Sequence, residues 1–174
     1  VRYLYMEAIN TVDGRRARVH LYKVQFDPMS QLPLTSQTLS DFTLNGATLI
    51  DAVNIPMCIV SNGPVSKMQH SLGKLDMLHH FPEKLFSGYD IQRWKPDPAL
   101  MFHAAKAMDV NVENCILVDD SSAGAQAGIA AGMEVFYFCA DPHNKPIDHP
   151  NVTTFTDLAQ LPALWKARGW NITR

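Results

Sequence analysis

An α/β fold is the architecture that this sequence predicts, with a parallel sheet covered by helices on both faces. From about Ile55 onward, short apolar segments alternate with longer segments of helical periodicity, which is the pattern of βαβ units. The apolar segments are also nearly continuous in hydrophobicity, as is typical of strands that are buried on both faces. Both observations favour a doubly wound parallel sheet.

The strand predictions rest on four apolar segments, each bounded by polar or turn-forming residues. The segments are "IPMCIVSN", "KLFSG", "NCILVDD" and "MEVFYFC". They cover residues 55–62, 84–88, 114–120 and 133–139. We expect these four strands to lie side by side in one sheet.

Helices are predicted between and after these strands, over residues 66–81, 97–108, 122–132 and 158–169. In the first helix, apolar residues recur at helical spacing from Met68 to Leu78. Asp97 and Pro98 suit the N-cap and the first position of the second helix. Gly132 suits the end of the third helix, where a left-handed conformation is common.

Residues 1–50 form an atypical N-terminal segment, and residues 51–174 form the predicted α/β core. Before about Thr48 the chain shows mixed periodicity and no clean alternation of strand and helix, so its fold is left unassigned. Its aromatic residues argue against disorder throughout, because disordered segments are poor in them.

Composition limits the classes of function. The chain has 174 residues and a net charge of −2, which gives no electrostatic reason to expect nucleic acid or an anionic membrane as a partner. No apolar segment approaches the roughly 20 residues of a membrane span, and no signal peptide is recognisable. The three cysteines show no metal-ligand spacing and are predicted to be free thiols in the cytoplasm. The sequence makes no prediction about oligomeric state.

Polar residues follow three of the predicted strands. Ser61 and Asn62 end the first strand, Lys95 lies in the loop after the second, and Asp119 and Asp120 end the third. Ligands of open parallel sheets gather beyond the carboxyl ends of the strands. We therefore expect a hydroxyl, an ammonium group and two carboxylates to meet at one edge of the sheet.

This set of groups suits a phosphate ester together with a hard cation. Ser61, backbone N–H groups near Asn62 and the Lys95 ammonium can bind phosphate oxygens. Adjacent carboxylates repel each other unless a cation lies nearby, and Mg²⁺ binds through one or two carboxylates plus phosphate oxygens and water. The sequence therefore predicts a Mg²⁺-assisted phosphate site at Asp119 and Asp120.

The segments "VSNG", "KPDP" and "LVDDS" resemble motifs two, three and four of the haloacid dehalogenase superfamily in their order and strand placement. The run from "FSGYDIQRWKPDP" to "ILVDDSSAGAQAGIAAGM" is similar to the branch of sugar-phosphate phosphatases and β-phosphoglucomutases. The resemblance covers residues 51–174. It implies a Rossmann-like core and a Mg²⁺-dependent phosphatase of the cytoplasm that acts on a small phosphorylated sugar or sugar acid.

The resemblance also implies roles for particular residues. Ser61 binds a phosphoryl oxygen with help from the Asn62 backbone, and Lys95 holds the phosphate and offsets the charge of the nucleophile. Asp119 and Asp120 anchor Mg²⁺, with Asp120 as the direct ligand and Asp119 acting through water.

The family's first motif, DxDGT, is missing from this sequence. The nearest fragments place Thr11 and Asp13, or Asp27 and Met29, at its two aspartate positions, and both match no better than chance. Three explanations remain open: an incomplete or altered front end, which we favour; a non-catalytic relative that keeps the phosphate and Mg²⁺ site; and an unusual nucleophile from the N-terminal segment.

Two other classes compete with a phosphatase. A response-regulator receiver also uses an acidic pair, a hydroxyl and a lysine, but there the acidic pair comes first in the chain, whereas here it follows Ser61 and Lys95. A module that binds a phosphorylated ligand without hydrolysing it is the main alternative, because the nucleophile motif is missing. Trp94, next to Lys95, is as good a candidate for packing as for contact with substrate.

Overall fold

The computed structural model describes residues 53–74, 76–140 and 143–173, together with the backbone of short strands near the N-terminus. The strands of the described part are β1 (Tyr3–Met6), β2 (Ala8–Ile9), β3 (Arg16–Val19), β4 (Tyr22–Gln25), β5 (Met57–Ser61), β6 (Leu85–Ser87), β7 (Cys115–Asp119), β8 (Glu134–Phe138) and β9 (Val152–Phe155).

The helices lie between the later strands. They are α1 (Val65–Lys74), α2 (Gly88–Ile91), α3 (Ala99–Ala107), α4 (Ser122–Ala130) and α5 (Leu161–Ala167). Single 3₁₀ turns cover Leu78–His80, Val112–Asn114 and Leu158–Gln160. None of the described helices combines the length and the apolar character that a membrane crossing requires.

The described strands form a parallel sheet in the order β6-β5-β1-β7-β8-β9, and β2, β3 and β4 form a separate antiparallel sheet. The predicted parallel sheet with helices on its faces is thereby confirmed. Strand β1 lies in the middle, with Met6 paired to Ile59 of β5 on one side and to Val118 of β7 on the other. The sheet therefore draws its central strand from the segment 1–50, whose fold the sequence left unassigned.

The core has two parts, one on each face of the sheet. On the first face, residues of alternating strand positions such as Ile59 and Ile116 pack with Met68 and Leu72 of α1 and with Trp165 of α5. On the second face, the intervening strand positions pack against α3 and α4 through small side chains: Ala104, Ala105, Ala125 and Ala127. This alternation is what a strand buried on both faces produces.

Two predicted elements need correction. The predicted helix 66–81 is shorter, because α1 ends at Lys74 and Asp76 takes a left-handed φ of 54°, after which only the 3₁₀ turn Leu78–His80 follows. Leu75, part of that pattern, is outside the described residues. Strand β9 was not predicted, since its four residues are mostly half-buried or exposed and give a weak apolar signal.

Candidate functional site

The carboxyl ends of β5, β6 and β7 bring polar residues to one edge of the parallel sheet. Ser61 ends β5 and pairs with Ser87 at the end of β6, while Asp119 ends β7. All three side chains are buried. The edge therefore carries a layer of buried polar groups, which need partners because an unpaired buried polar group is costly.

The turn after β5 is held by two serine hydroxyls. The Gly63 backbone N–H donates to Ser61 Oγ at 3.0 Å, and the Ser87 hydroxyl donates to the Gly63 carbonyl oxygen at 2.7 Å. Ser87 Oγ also accepts from the Tyr89 backbone N–H at 3.1 Å, which caps the start of α2. The Ser61 hydroxyl thus lies at a turn whose backbone is bonded both to the end of β5 and to the end of β6.

Asn62 connects this turn to the loop that carries Lys95. Its Oδ1 accepts from the Lys95 backbone N–H at 2.8 Å, and its Nδ2 donates to the Lys95 carbonyl oxygen at 3.0 Å. The two bonds hold the Lys95 backbone from both sides. Asn62 is therefore a positioning residue through its side chain, a role that the sequence did not predict.

The Lys95 ammonium donates to Asp119 Oδ2 at 3.0 Å, and both side chains are fully buried. Burial lowers the pKa of Lys95, and the neighbouring Asp119 and Asp120 carboxylates oppose that shift. The direction of the shift means that the cost of removing the ammonium from water exceeds the attraction to the two carboxylates. This ion pair offsets part of the electrostatic repulsion between the adjacent Asp119 and Asp120 carboxylates.

The other oxygen of Asp119 is bonded as well. Oδ1 accepts from the Ser121 backbone N–H at 2.7 Å and from the Ser121 hydroxyl at 2.8 Å, and Ser121 Oγ in turn accepts from Gly124 N–H at 3.0 Å at the start of α4. A Cβ atom at Gly124 would lie 1.7 Å from Asp119 Oδ2. The bonded position of Asp119 therefore requires glycine at position 124.

Glycines recur every four residues at positions 124, 128 and 132, a spacing that predicts close packing of the helix against the sheet. The structure confirms this packing for two of them. A Cβ at Gly128 would lie 2.7 Å from side-chain atoms of both Leu117 and Val135. Gly132 has no neighbour within 4 Å at its Cβ position and has instead a φ of 76° just after the helix end. Its role is the predicted helix stop.

Asp120 follows Asp119 and is 7% exposed. The Asn144 side chain donates to the Asp120 carbonyl oxygen at 2.7 Å, so the loop after β8 is attached to the acidic pair. Within the described residues, no group of three His, Cys, Asp or Glu side chains is arranged to hold a metal ion. Mg²⁺ commonly binds through one or two carboxylates and fills its other positions with water and phosphate oxygens, so the acidic pair by itself suits this ion.

Two helices begin at this same edge. Helix α1 starts at Val65, shortly after the Ser61 turn, and α4 starts at Ser122, shortly after Asp120. The backbone N–H groups of a first helical turn have no partners within the helix, and the helix dipole there favours anions. The edge thus combines a buried hydroxyl, an ammonium group and two helix N-termini.

The structure brings together all five residues that the sequence selected: Ser61, Asn62, Lys95, Asp119 and Asp120. Sequence reasoning missed Ser87 and Asn144, which act by bonding to backbone oxygens of residues distant in the sequence. The candidate positions Thr11, Asp13, Asp27 and Met29 lie outside the described residues.

A comparison with protein families identifies the fold's relatives. The model of the haloacid dehalogenase-like hydrolases matches residues 15–132, which is more than half of the chain. The chain belongs to this family. The match begins within the N-terminal segment and includes Ser61, Lys95, Asp119 and Asp120, so the family resemblance seen in the sequence is confirmed.

Curated relatives within the haloacid dehalogenase family include sugar phosphatases. The chain is 82% identical over 125 residues to 6-phosphogluconate phosphatase of Escherichia coli K12, covering 72% of this chain and 57% of that protein. It is 29% identical over 105 residues to hexitol phosphatase A of the same organism, covering 59% and 44%. The chain therefore spans about half the length of the curated relatives it matches.

Solved structures of haloacid dehalogenase-like proteins share the fold. One, from Agrobacterium tumefaciens C58, superposes with a TM-score of 0.63 and 22% identity over 81% of this chain and 73% of that chain. A family hydrolase from Deinococcus radiodurans R1, solved with bound phosphate and sodium, gives 0.61 and 21% identity over 80% and 71%. These similarities support the architecture described above.

Proposed function

We propose that this chain carries the phosphate-binding and metal-binding part of a Mg²⁺-dependent phosphatase. Its substrate class is a small phosphorylated sugar or sugar acid, similar to 6-phosphogluconate. The observation that carries the proposal is the bonded series Asn62–Lys95–Asp119, which links the turn after β5 to the acidic end of β7.

The chemistry of a phosphate monoester fits the groups at this edge. The ester carries negative charge on its non-bridging oxygens, which need hydrogen-bond donors and positive charge. The Ser61 hydroxyl, the Lys95 ammonium and the first turn of α1 supply these at one place. Fixed donors of this kind bind the phosphoryl group without having to reorganise during the reaction.

The acidic pair fits Mg²⁺ with a division of roles. Both oxygens of Asp119 are already bonded, to Lys95 and to Ser121, so Asp119 positions Lys95 and reaches a metal through water. Asp120 is then the direct ligand. When bound, Mg²⁺ would neutralise and orient the oxygens of the phosphoryl group.

The chain's own residues perform the binding and orientation. Ser61 and Lys95 hold the phosphoryl oxygens, while Asn62 and Ser87 keep the two loops in place. Ser121 fixes the position of the Asp119 carboxylate, and this carboxylate in turn holds the Lys95 ammonium in place for the phosphoryl oxygens. Hydrolysis further needs a nucleophile and a general acid, which the DxDGT motif would supply and this sequence lacks.

The sugar-phosphate class rests on the curated relatives, because 6-phosphogluconate phosphatase and hexitol phosphatase A both act on such compounds by name. The second candidate function is a module that binds the phosphorylated ligand without hydrolysing it. The missing DxDGT motif favours it, while the bonding at Lys95 and Asp119 is the same under both proposals.

Phosphate release from p-nitrophenyl phosphate, with and without Mg²⁺, tests the proposal on this chain and on Asp120→Ala. We expect any release to require Mg²⁺ and to be abolished by the substitution. Glu113→Ala, which removes an exposed carboxylate at the opposite edge of the sheet, is the matched control and should keep full activity. Turnover that survives Asp120→Ala refutes the metal assignment. An inactive chain that still binds phosphate in Mg²⁺ supports the binding module instead.

A further inference from the structure

Two aromatic side chains next to the candidate site are exposed to solvent. Tyr89 is 51% exposed and Trp94 is 39% exposed, and Phe102 is the remaining large apolar side chain of comparable exposure within the described residues. The rings of Tyr89 and Trp94 meet edge to face, with centroids 5.6 Å apart and an interplanar angle of 89°. We call these two side chains the aromatic pair.

The aromatic pair belongs to the segment that connects the two loops of the phosphate site. This segment begins at Ser87, which donates to the Gly63 carbonyl, and it ends at Lys95, which is bonded on both sides to Asn62. Tyr89 and Trp94 lie between these anchors in the chain. Each aromatic residue therefore lies within two positions of a residue that is hydrogen-bonded to the turn after Ser61.

The Trp94 ring is held in a fixed place. Its Cδ1 lies only 2.8 Å from where a Cβ at residue 88 would be, so the ring packs directly on the Gly88 backbone. The Arg93 backbone N–H donates to the Gly88 carbonyl oxygen at 3.0 Å, and the Tyr89 ring packs edge to face with the indole. A rigid aromatic face that remains partly exposed is suited to binding a ligand, because little side-chain freedom is lost on contact.

We infer that the aromatic pair binds the carbon skeleton of the phosphorylated substrate, with Trp94 as the main contact. The inference rests on the proposed function, because it assumes that Ser61 and Lys95 hold the phosphate. Aromatic faces carry partial negative charge, and the C–H groups of a carbohydrate carry partial positive charge, so the two attract each other when stacked. Ligand sites commonly combine such aromatic surfaces with a few fixed polar groups.

Binding of two probes separates the contribution of the carbon skeleton from that of the phosphate. Calorimetry in Mg²⁺ buffer gives the dissociation constants of inorganic phosphate and of 6-phosphogluconate, and KM replaces the second constant if the chain hydrolyses the ester. We expect 6-phosphogluconate to bind more tightly than phosphate. Trp94→Ala should weaken its binding by roughly three- to tenfold and leave phosphate binding unchanged.

Two further variants and one spectroscopic signal sharpen the test. Trp94→Phe should retain most of the affinity for 6-phosphogluconate, and Phe102→Ala, the exposed aromatic on α3, should change neither constant. Of the other two tryptophans, Trp165 is fully buried and Trp170 packs against Phe136. We expect tryptophan emission to change on adding 6-phosphogluconate but not phosphate, and loss of this change in Trp94→Phe assigns it to Trp94.

The outcomes distinguish failure of the inference from failure of the proposed function. If phosphate binds but Trp94→Ala leaves 6-phosphogluconate affinity unchanged, or weakens both probes equally, the inference is wrong and the phosphate site stands. If wild-type chain binds neither probe, the proposed function is wrong and the inference falls with it.

Discussion

The two faces of the sheet are packed in different ways. The face under α1 and α5 is filled by large side chains, among them Phe136, Phe81 and Trp165. The face under α3 and α4 contains large side chains such as Leu100 and Tyr137 but also many alanines, and Gly124 and Gly128 bring α4 so close that added methyl groups would overlap with strand side chains. We name them the bulky face and the tight face.

The difference shows how a fold positions a buried charge. Asp119 belongs to the tight face, since it continues the strand positions Cys115 and Leu117. Because α4 starts directly over it, the backbone of Ser121 reaches the carboxylate, and the Lys95 ammonium reaches it from the loop that Asn62 holds. Large side chains on the bulky face supply apolar burial, whereas close packing on the tight face supplies the geometry of the site.

The largest effect is expected from removing the counter-charge on the tight face. Lys95→Met leaves the Asp119 carboxylate buried without its ammonium partner, and breaking a buried pair in this way costs roughly 3–5 kcal/mol of unfolding free energy. Urea denaturation measures the loss. Lys106→Met, an exposed lysine on α3, is the control and should change stability by less than about 0.5 kcal/mol. Equal effects of the two variants would contradict the role assigned to the Lys95–Asp119 pair.

Gly124→Ala should be next in size. The added methyl would overlap with Asp119, so either α4 or the carboxylate must move, at a cost of about 3 kcal/mol, and phosphate affinity should fall. Gly73→Ala, in α1 of the bulky face, has no neighbour within 4 Å and should leave stability unchanged or raise it by about 0.5–1 kcal/mol. Thermal unfolding and phosphate titration of both variants provide the measurement. A Gly124→Ala protein with wild-type phosphate affinity would mean that the tight packing does not set the site.

Phe136→Leu tests the bulky face by itself. Phe136 is fully buried against Trp165 and Trp170, and a smaller side chain there should cost about 1.5 kcal/mol through lost contacts. Phosphate affinity, measured well below the unfolding temperature, should stay at the wild-type value. A substantial loss of phosphate affinity would show that packing on the bulky face also sets the geometry of the site, which would contradict separate roles for the two faces.

The smallest effect concerns Asp97, at the start of α3. Its carboxylate accepts a hydrogen bond from the Ala99 backbone N–H and another from Arg93, and both lower the pKa of Asp97 below the ordinary value of an aspartate. The folded state therefore favours the charged Asp97 carboxylate more than the unfolded state does. Its contribution to the unfolding free energy is fully present above the unfolded-state pKa of about 3.9 and is lost as the pH falls through the lowered pKa of the folded state. Asp97→Asn should reduce the urea midpoint slightly at pH 7. The difference in urea midpoint between Asp97→Asn and wild type should vanish at strongly acidic pH. A difference that grows in acid would contradict a lowered pKa for Asp97.

Much of the site could be predicted because strand ends are visible in the sequence. The apolar segments before Ser61 and Asp119 are continuous and end on polar residues, and parallel topology then requires these ends to meet. The glycine spacing in α4 also indicated close packing, which Gly124 and Gly128 confirm.

Other features had no local signal. The central strand β1 has only four residues and lies in a segment of mixed periodicity, so only its pairing with β5 and β7 reveals it. Ser87 and Asn144 contribute through bonds to the backbone oxygens of Gly63 and Asp120, each 24 positions away in the chain. The partners of Asp119 are likewise visible only in three dimensions, since Lys95 and Ser121 bond its two carboxylate oxygens.

The most direct test of the central claim is the effect of Mg²⁺ on phosphate affinity. Phosphate is titrated calorimetrically into the wild-type chain and into Asp120→Asn, each with and without Mg²⁺. We expect Mg²⁺ to tighten phosphate binding by tenfold or more in the wild type, a coupling of at least about 1.4 kcal/mol, and to have little effect in Asp120→Asn. Equal tightening by Mg²⁺ in both proteins, or no phosphate binding to the wild type in Mg²⁺, would contradict it.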